Sequence, residues 1–82
     1  MDEAMTTEVQ PEDGFDGELE KRFTYHPPKG SQPERYVEIR EAARRFAFLV
    51  NKLAPDSREK SLAFTHLEEC VMFANAAIAR RE

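Results

Sequence analysis

The sequence lacks the residues with which small domains fix their structure covalently. It has one cysteine, Cys70, so no disulfide can form within the chain and no cysteine-rich metal framework is available. It also lacks an apolar run long enough for a membrane span, and its N-terminus is acidic rather than basic and apolar as in a signal peptide. We therefore expect a cytosolic protein that does not associate with membranes.

The common catalytic motifs are missing as well. The three glycines are isolated, so they form no phosphate-binding loop, and no nucleophile elbow or zinc-protease helix occurs. His66, Glu69 and Cys70 share a helical face, but three ligand types without a fourth are more typical of an ordinary helix surface. His26 adjoins no acid or nucleophile and is better suited to hydrogen bonding or stacking. We expect no enzyme, no metal and no cofactor.

Charge divides the chain into two parts. Residues 1–20 hold eight acidic residues and no lysine or arginine, whereas residues 21–82 hold all twelve basic residues and the other eight acidic ones, a balance of -8 against +4. The acidic part has few large apolar residues, which predicts a disordered segment over 1–20. The basic part, 21–82, is predicted to be the folded domain, with a modest preference for anionic partners.

Two amphipathic helices are predicted in the basic part. Ser31 and Glu34 form a capping box at the start of a helix over 32–53, which Pro55 prevents from continuing. Its apolar seam follows a 3-4-3-4-3 spacing: Tyr36, Ile39, Ala43, Phe46, Val50 and Leu53.

The second helix is predicted over 57–81, with two alternatives for its start. Asp56 and Glu59 offer a second capping box, or Ser57 caps the helix instead. Its seam follows a 3-4-3-4 spacing: Phe64, Leu67, Val71, Ala74 and Ile78. Because the loop between the helices is short, the fold class is all-α, an antiparallel two-helix hairpin.

Apolar residues also lie away from these seams. Val37 and Phe48 lie on the opposite side of the first helix, and Leu62, Phe73 and Ala76 form a second stripe on the other helix. The simplest interpretation is scattered surface residues, which are common. Large aromatic residues on a second face of so small a domain favour self-association instead, because one hairpin buries little core.

A segment over 22–31, here called the strap, precedes the first helix. Pro27 and Pro28 keep it extended. Tyr25 can stack on a nucleobase, and Arg40 and its basic neighbours Lys29 and Arg35 can contact phosphate oxygens. An alternative is that Phe23 and Tyr25 only cover the open end of the hairpin.

The residues 23–30 and 32–36, FTYHPPKG and QPERY, closely resemble the helical-hairpin family of phage anti-CBASS proteins, which are cyclic-oligonucleotide sponges. So do residues 57–63, SREKSLA, and 74–80, ANAAIAR. The resemblance covers residues 23–82 and leaves the acidic segment outside. It implies a compact hexamer of hairpins that binds messengers and does not cleave them.

The resemblance also implies two kinds of pocket. A cyclic-dinucleotide site falls on Tyr25 and Arg40, with Pro27 and Tyr36 beside them. A cyclic-trinucleotide site is matched best by Arg58 at the start of the second helix. Arg45 is added to that site from its place on the outer face of the first helix and not from the family pattern.

The implied function is that of a phage-encoded sponge in the cytoplasm of the infected bacterial host. It would sequester cyclic dinucleotides such as 3',3'-cGAMP and cyclic trinucleotides, and so block CBASS-type signalling. The main alternative is an oligomeric helical protein-interaction module with no nucleotide ligand. A third alternative, a DNA- or RNA-binding protein, is disfavoured because the acidic segment would repel a long polyanion.

Overall fold

A computed structural model describes residues 14–82, and in this range the chain is all-helical, as predicted. The helices are α1 (Gly14–Phe23), α2 (Gln32–Leu53) and α3 (Arg58–Arg81). Helices α2 and α3 pack against each other as an antiparallel hairpin. None of the described helices is both long enough and apolar enough to cross a membrane.

Helix α1 corrects the prediction for the N-terminal part. Residues 14–20 were expected to be disordered and 22–31 to be an extended strap, yet the helix runs from Gly14 to Phe23. The reason is electrostatic. Glu18 accepts hydrogen bonds from Arg22, one turn later in the helix, and from Arg81 of α3, and these ion pairs stabilise the helix and attach it to the hairpin. The strap is therefore residues 24–31, and residues 1–13 lie outside the described range.

A tight turn leads the strap into α2. Gly30 has a φ of 57°, a left-handed conformation that glycine adopts without steric cost, and the amide of Gln32 donates to the carbonyl of Lys29 at 2.9 Å. Ser31 occupies the N-cap position, but its backbone (φ -85°, ψ 5°) is not extended and its side chain caps no amide. The predicted capping box is wrong because N-capping requires extended backbone. The Ser31 hydroxyl instead accepts from Arg35 Nε at 3.1 Å.

Gln32 closes the open end of the hairpin. It is 3% exposed, and its Nε2 donates to the carbonyl of Ile78 at 3.2 Å and to Glu82 Oε1 at 3.1 Å. Its Oε1 accepts from the amide of Lys29 at 3.1 Å. The two guanidinium nitrogens of Arg35 grip the Glu82 carboxylate at 2.7 and 2.6 Å. The start of α2 and the end of α3 are thus joined by polar bonds.

Lys60 closes the opposite end, where the two helices turn. It is 8% exposed, and its Nζ donates to the carbonyls of Asn51 and Ala54 at 3.0 and 3.1 Å and to Asp56 at 2.8 Å. These carbonyls belong to the last turn of α2, where no helical partner remains. The Ser57 hydroxyl accepts from the amide of Lys60 at 3.1 Å, so Ser57, rather than Asp56, caps α3.

The seam between α2 and α3 differs from the predicted heptad in its second half. Tyr36, Ile39, Ala43 and Val50 are half-buried, but Phe46 is 54% and Leu53 70% exposed. Ala47 and Ala54 are half-buried instead. The small alanines are therefore better covered than their larger neighbours Phe46 and Leu53.

No hydrophobic side chain in the described part of the chain is fully buried. Many large apolar residues are exposed: Phe15, Leu19, Phe23, Tyr25, Val37, Phe46, Phe48, Leu49, Leu53, Leu62, Met72 and Phe73. A single copy therefore leaves uncovered most of the apolar surface on which a stable fold of this size depends.

Candidate functional site

An open groove of about 570 Å³ lies where the strap passes the paired helices. The strap, the first half of α2 and the second half of α3 all contribute to it. The lining residues are Arg22, Thr24, Tyr25, His26, Tyr36, Arg40, Met72, Asn75, Ala76, Ala79 and Arg80.

The strap is held on both sides of Tyr25. The Thr24 hydroxyl donates to Glu20 at 3.2 Å, and His26 Nε2–H donates to the carbonyl of Lys21 at 2.7 Å. Both acceptors belong to α1, so the strap folds back on the end of that helix. Tyr25 itself is 80% exposed, which leaves the faces of its ring available for stacking.

The charges around the groove have one sign. Arg22, Arg40 and Arg80 line it, and none of its lining residues carries a carboxylate. No described acid forms an ion pair with Arg40. Arg80 donates to the carbonyl of Arg22 at 3.4 Å, which places the arginine of α3 next to the end of α1. Arg40 and Arg80 form no ion pair with a described acid, whereas Arg22 pairs with Glu18, and the two free guanidinium groups favour an anionic ligand.

The carboxylate that contacts these arginines belongs to Glu18, which does not line the groove. Glu18 accepts from Arg81 at 3.0 and 2.6 Å and from Arg22 Nε at 2.8 Å. These bonds, those of Arg81 first, lower the pKa of Glu18 to about 2. Glu18 is therefore ionised at neutral pH. It accepts from Nε of the Arg22 guanidinium and is not a lining residue of the groove.

Asn75 adds a polar group to the groove wall. Its Oδ1 is buried and accepts no hydrogen bond from any described residue. A buried acceptor without a donor is unfavourable. A donor supplied by a bound molecule or a neighbouring subunit would remove that penalty.

The structure brings part of the predicted site together. Tyr25, Tyr36 and Arg40 line the same groove, whereas Pro27 of the strap is not among the lining residues. Arg58, in the first turn of α3, and Arg45, on the exposed surface of α2, also lie outside it.

The sequence prediction missed the contribution of α3 to the groove. Met72, Asn75, Ala76, Ala79 and Arg80 line it. Their spacing of three and four residues marks a single helical face. That signal is present in the sequence, but it does not show which segment the face meets. Arg22 fell within the predicted strap but was not selected as a site residue.

A second groove, of about 490 Å³, continues along the same face of the hairpin towards the turn. It shares Arg40 and Met72 with the first groove, and its floor is apolar: Ala43, Ala47, Phe64, Leu67 and Val71. Arg44 and Glu68 lie at its rim, and the Arg44 guanidinium lies 5.1 Å from the centre of the Phe48 ring. The polar and apolar grooves thus form one continuous face.

One comparison with known proteins found a match. A model of the family described as Acb2/Tad1, hairpin domain, matches residues 16–79. The match begins in α1, so the expectation that the family pattern starts at residue 23 was wrong. Neither the curated proteins nor the solved structures gave a match. The family match covers more than half of the sequence, and this chain therefore belongs to the Acb2/Tad1 hairpin family, the anti-CBASS cyclic-oligonucleotide sponges.

Proposed function

We propose that this chain is a phage-encoded sponge that binds cyclic dinucleotides such as 3',3'-cGAMP in the groove beside the strap. One observation carries the proposal. Two tyrosines and three arginines line the groove, and no lining residue is acidic. A cyclic dinucleotide presents two bases with flat faces and two phosphates, so it combines the two features that such a groove recognises.

Each groove residue has a separate task in this proposal. Tyr25 stacks on a base, and Tyr36 forms part of the wall behind it. Arg40 donates to phosphate oxygens and Arg80 adds positive charge, while the charge of Arg22 is shared with Glu18. Pro27 keeps the strap extended next to Tyr25 and makes no direct contact.

The groove is proposed to bind its ligand and leave it intact. Cleavage of a phosphodiester needs an activated nucleophile, a general base or a metal ion. The lining residues contain no carboxylate that could serve as base or metal ligand, and His26 uses its Nε2–H to hold the strap. Sequestration requires only enough sites with enough affinity to keep free messenger below the threshold of its effector.

A second site for cyclic trinucleotides is proposed at the turn end of the hairpin, with Arg58 as its main anionic contact. Helix α2 has 22 residues and is therefore about 33 Å long, so Arg58 and Tyr25 lie near opposite ends of one chain. Arg45 belongs to this proposal as a residue of the outer face of α2.

The proposed assembly is a homohexamer. It is supported by the exposed apolar residues of a chain in which no described hydrophobic side chain is fully buried. A hexamer with one three-fold and three two-fold axes offers two trimeric faces and three dimer interfaces. Ligands with three-fold and pseudo-two-fold symmetry fit these two environments. The proposed place of action is the cytoplasm of the infected bacterial host, where CBASS messengers would be captured.

Calorimetry of the purified protein against cyclic di- and trinucleotides tests the proposal. We expect saturable binding of both classes, and intact rings in the supernatant after the saturated complex is denatured by heat. Failure of every cyclic nucleotide to bind would contradict the sponge. Linear products that accumulate with time would show an enzyme.

The alternative, a protein-interaction module without a nucleotide ligand, rests on one observation. The exposed side chains of Met72 and Phe73 continue the apolar surface of α3 beside the groove. If the protein forms stable oligomers that bind no cyclic nucleotide, this alternative replaces the sponge.

A further inference from the structure

Helix α1 docks on the hairpin through polar contacts. Of its apolar residues, Phe15 and Phe23 are well exposed, and the contacts to α3 come from the Glu18 carboxylate and from the backbone carbonyl of Arg22. The Glu18 carboxylate receives three hydrogen bonds from two arginines, one on its own helix and one on α3. A bidentate guanidinium within a network is the geometry in which a surface ion pair contributes most.

The same helix holds the strap. Its residues Glu20 and Lys21 accept from Thr24 and His26, the neighbours of Tyr25 on either side. The chain of contacts therefore runs from Arg81 through Glu18 and α1 to the two residues that flank Tyr25. If the Glu18 contact breaks, the only described bond left between α1 and α3 is the 3.4 Å bond from Arg80 to the carbonyl of Arg22, so the strap is held less firmly on its N-terminal side.

We infer that α1 is a clasp, in which the Glu18–Arg81 ion pair positions the strap and presents Tyr25 to the groove before a ligand arrives. This rests on the proposed function, because the groove is taken as the cyclic-dinucleotide site. Glu18 is a positioning residue: it lies outside the groove and acts through α1. When only a fraction of the molecules is competent to bind, the apparent affinity falls in proportion to that fraction. By keeping the strap in its binding position, the clasp raises the fraction and therefore the affinity.

The first test needs no ligand. Glu18→Gln keeps the size of the side chain and removes its charge, and Glu38→Gln removes one charge from the exposed surface of α2 as a control. We expect amide hydrogen exchange over residues 24–31 to accelerate in Glu18→Gln and to match the parent in Glu38→Gln. Glu18→Asp, which retains the carboxylate, should recover part of the protection. Unchanged exchange in Glu18→Gln would overturn the clasp.

The second test separates positioning from contact. With 3',3'-cGAMP as probe, Glu18→Gln should slow association about 3- to 10-fold and leave the dissociation rate unchanged, because fewer molecules are competent at any moment. Tyr25→Ala should instead accelerate dissociation. If Glu18→Gln lost affinity only because the ligand dissociated faster, Glu18 would act by orienting Arg22. That result would overturn the clasp. If the parent binds no cyclic dinucleotide, the proposed function fails, and the exchange result alone decides whether the clasp exists.

Discussion

The turn end and the strap end of the hairpin differ in how completely one chain satisfies its own polar groups. At the turn, Lys60 is buried and its ammonium donates three bonds to groups of the same chain, so the carbonyls of Asn51 and Ala54 at the end of α2 are paired internally. At the strap, Tyr25 is exposed and Arg40 pairs with no described acid. The turn end is complete for folding, whereas the strap end still has unmatched aromatic and positive groups.

This difference indicates where the proposed cyclic-dinucleotide site lies; the proposed trinucleotide site depends on Arg58, which is exposed at the turn end and takes no part in the Lys60 bonds. A buried lysine that satisfies helix carbonyls contributes to stability and has no donor left for a ligand. Exposed groups of complementary chemistry, gathered in a groove, contribute little to stability and are available for binding. Substitutions of Lys60 and of the groove residues should therefore affect different measurements. Four predictions test these assignments, from the largest expected effect to the smallest.

Arg58→Ala has the largest expected effect, because it removes the main anionic contact of the proposed trinucleotide site. Cyclic-trinucleotide binding should be abolished and cyclic-dinucleotide binding nearly retained, as measured by calorimetry with both ligand classes. If the parent forms the proposed hexamer, each hexamer should bind two trinucleotides and three dinucleotides, in line with its symmetry. If Arg58→Ala removed the binding of both ligand classes, or if the two ligands competed, the protein would have a single shared site.

Arg40→Ala should weaken cyclic-dinucleotide binding by about 1.5–3 kcal/mol, the usual cost of losing a hydrogen bond to a charged group. Lys52→Ala, which removes a cation from the last turn of α2, serves as the control and should titrate like the parent. Light scattering should show the same oligomer in all three proteins. Equal affinities for the parent and Arg40→Ala would exclude Arg40 from the site.

Lys60→Met should lower the free energy of unfolding by about 1–3 kcal/mol, because the carbonyls of Asn51 and Ala54 lose a buried donor. Denaturant unfolding measures the change. Ligand affinity at the strap end should stay at the parent value, provided that it is measured on folded protein. A parallel loss of dinucleotide affinity would show that the two ends are coupled.

Glu82→Gln should change the acid sensitivity of the hairpin, with a smaller effect. Hydrogen bonds from Arg35, and then Gln32, lower the pKa of Glu82 from its ordinary value of 4.5 to about 2. A depressed carboxyl pKa stabilises the folded state above pH 4.5, and this contribution is lost as the pH falls towards 2. The slope of unfolding free energy against pH should be shallower in Glu82→Gln than in the parent or in Glu38→Gln. Identical slopes in Glu82→Gln and the parent would refute the pairing of Glu82 with Arg35.

The hairpin could be predicted from the sequence because its signals are local. Pro55 and the spacing of apolar residues mark the two helices within a few positions. The predicted seam was less accurate: a strict heptad selected Phe46 and Leu53, which are exposed, whereas the smaller Ala47 and Ala54 are half-buried. Periodicity gives the side of a helix within about one residue, and packing decides which residue of that side is enclosed.

The groove could be predicted only in part because it depends on contacts between distant segments. Tyr25 and Arg40 were identified from their chemistry and from the family resemblance. Glu18 and Arg81 are 63 positions apart in the chain, and no local pattern shows that they pair. The same holds for Gln32, which is buried by bonds to residues at the end of α3.

The most direct test of the central claim compares two neighbouring exposed aromatic residues. Tyr25 lines the groove, while Phe23, which is 83% exposed, does not. Titration of Tyr25→Ala with 3',3'-cGAMP should show an affinity loss of about 1–3 kcal/mol, the contribution of one stacked base. Phe23→Ala should bind like the parent, and both variants should retain the oligomer. If Tyr25→Ala binds as tightly as Phe23→Ala, the groove beside the strap is not the ligand site.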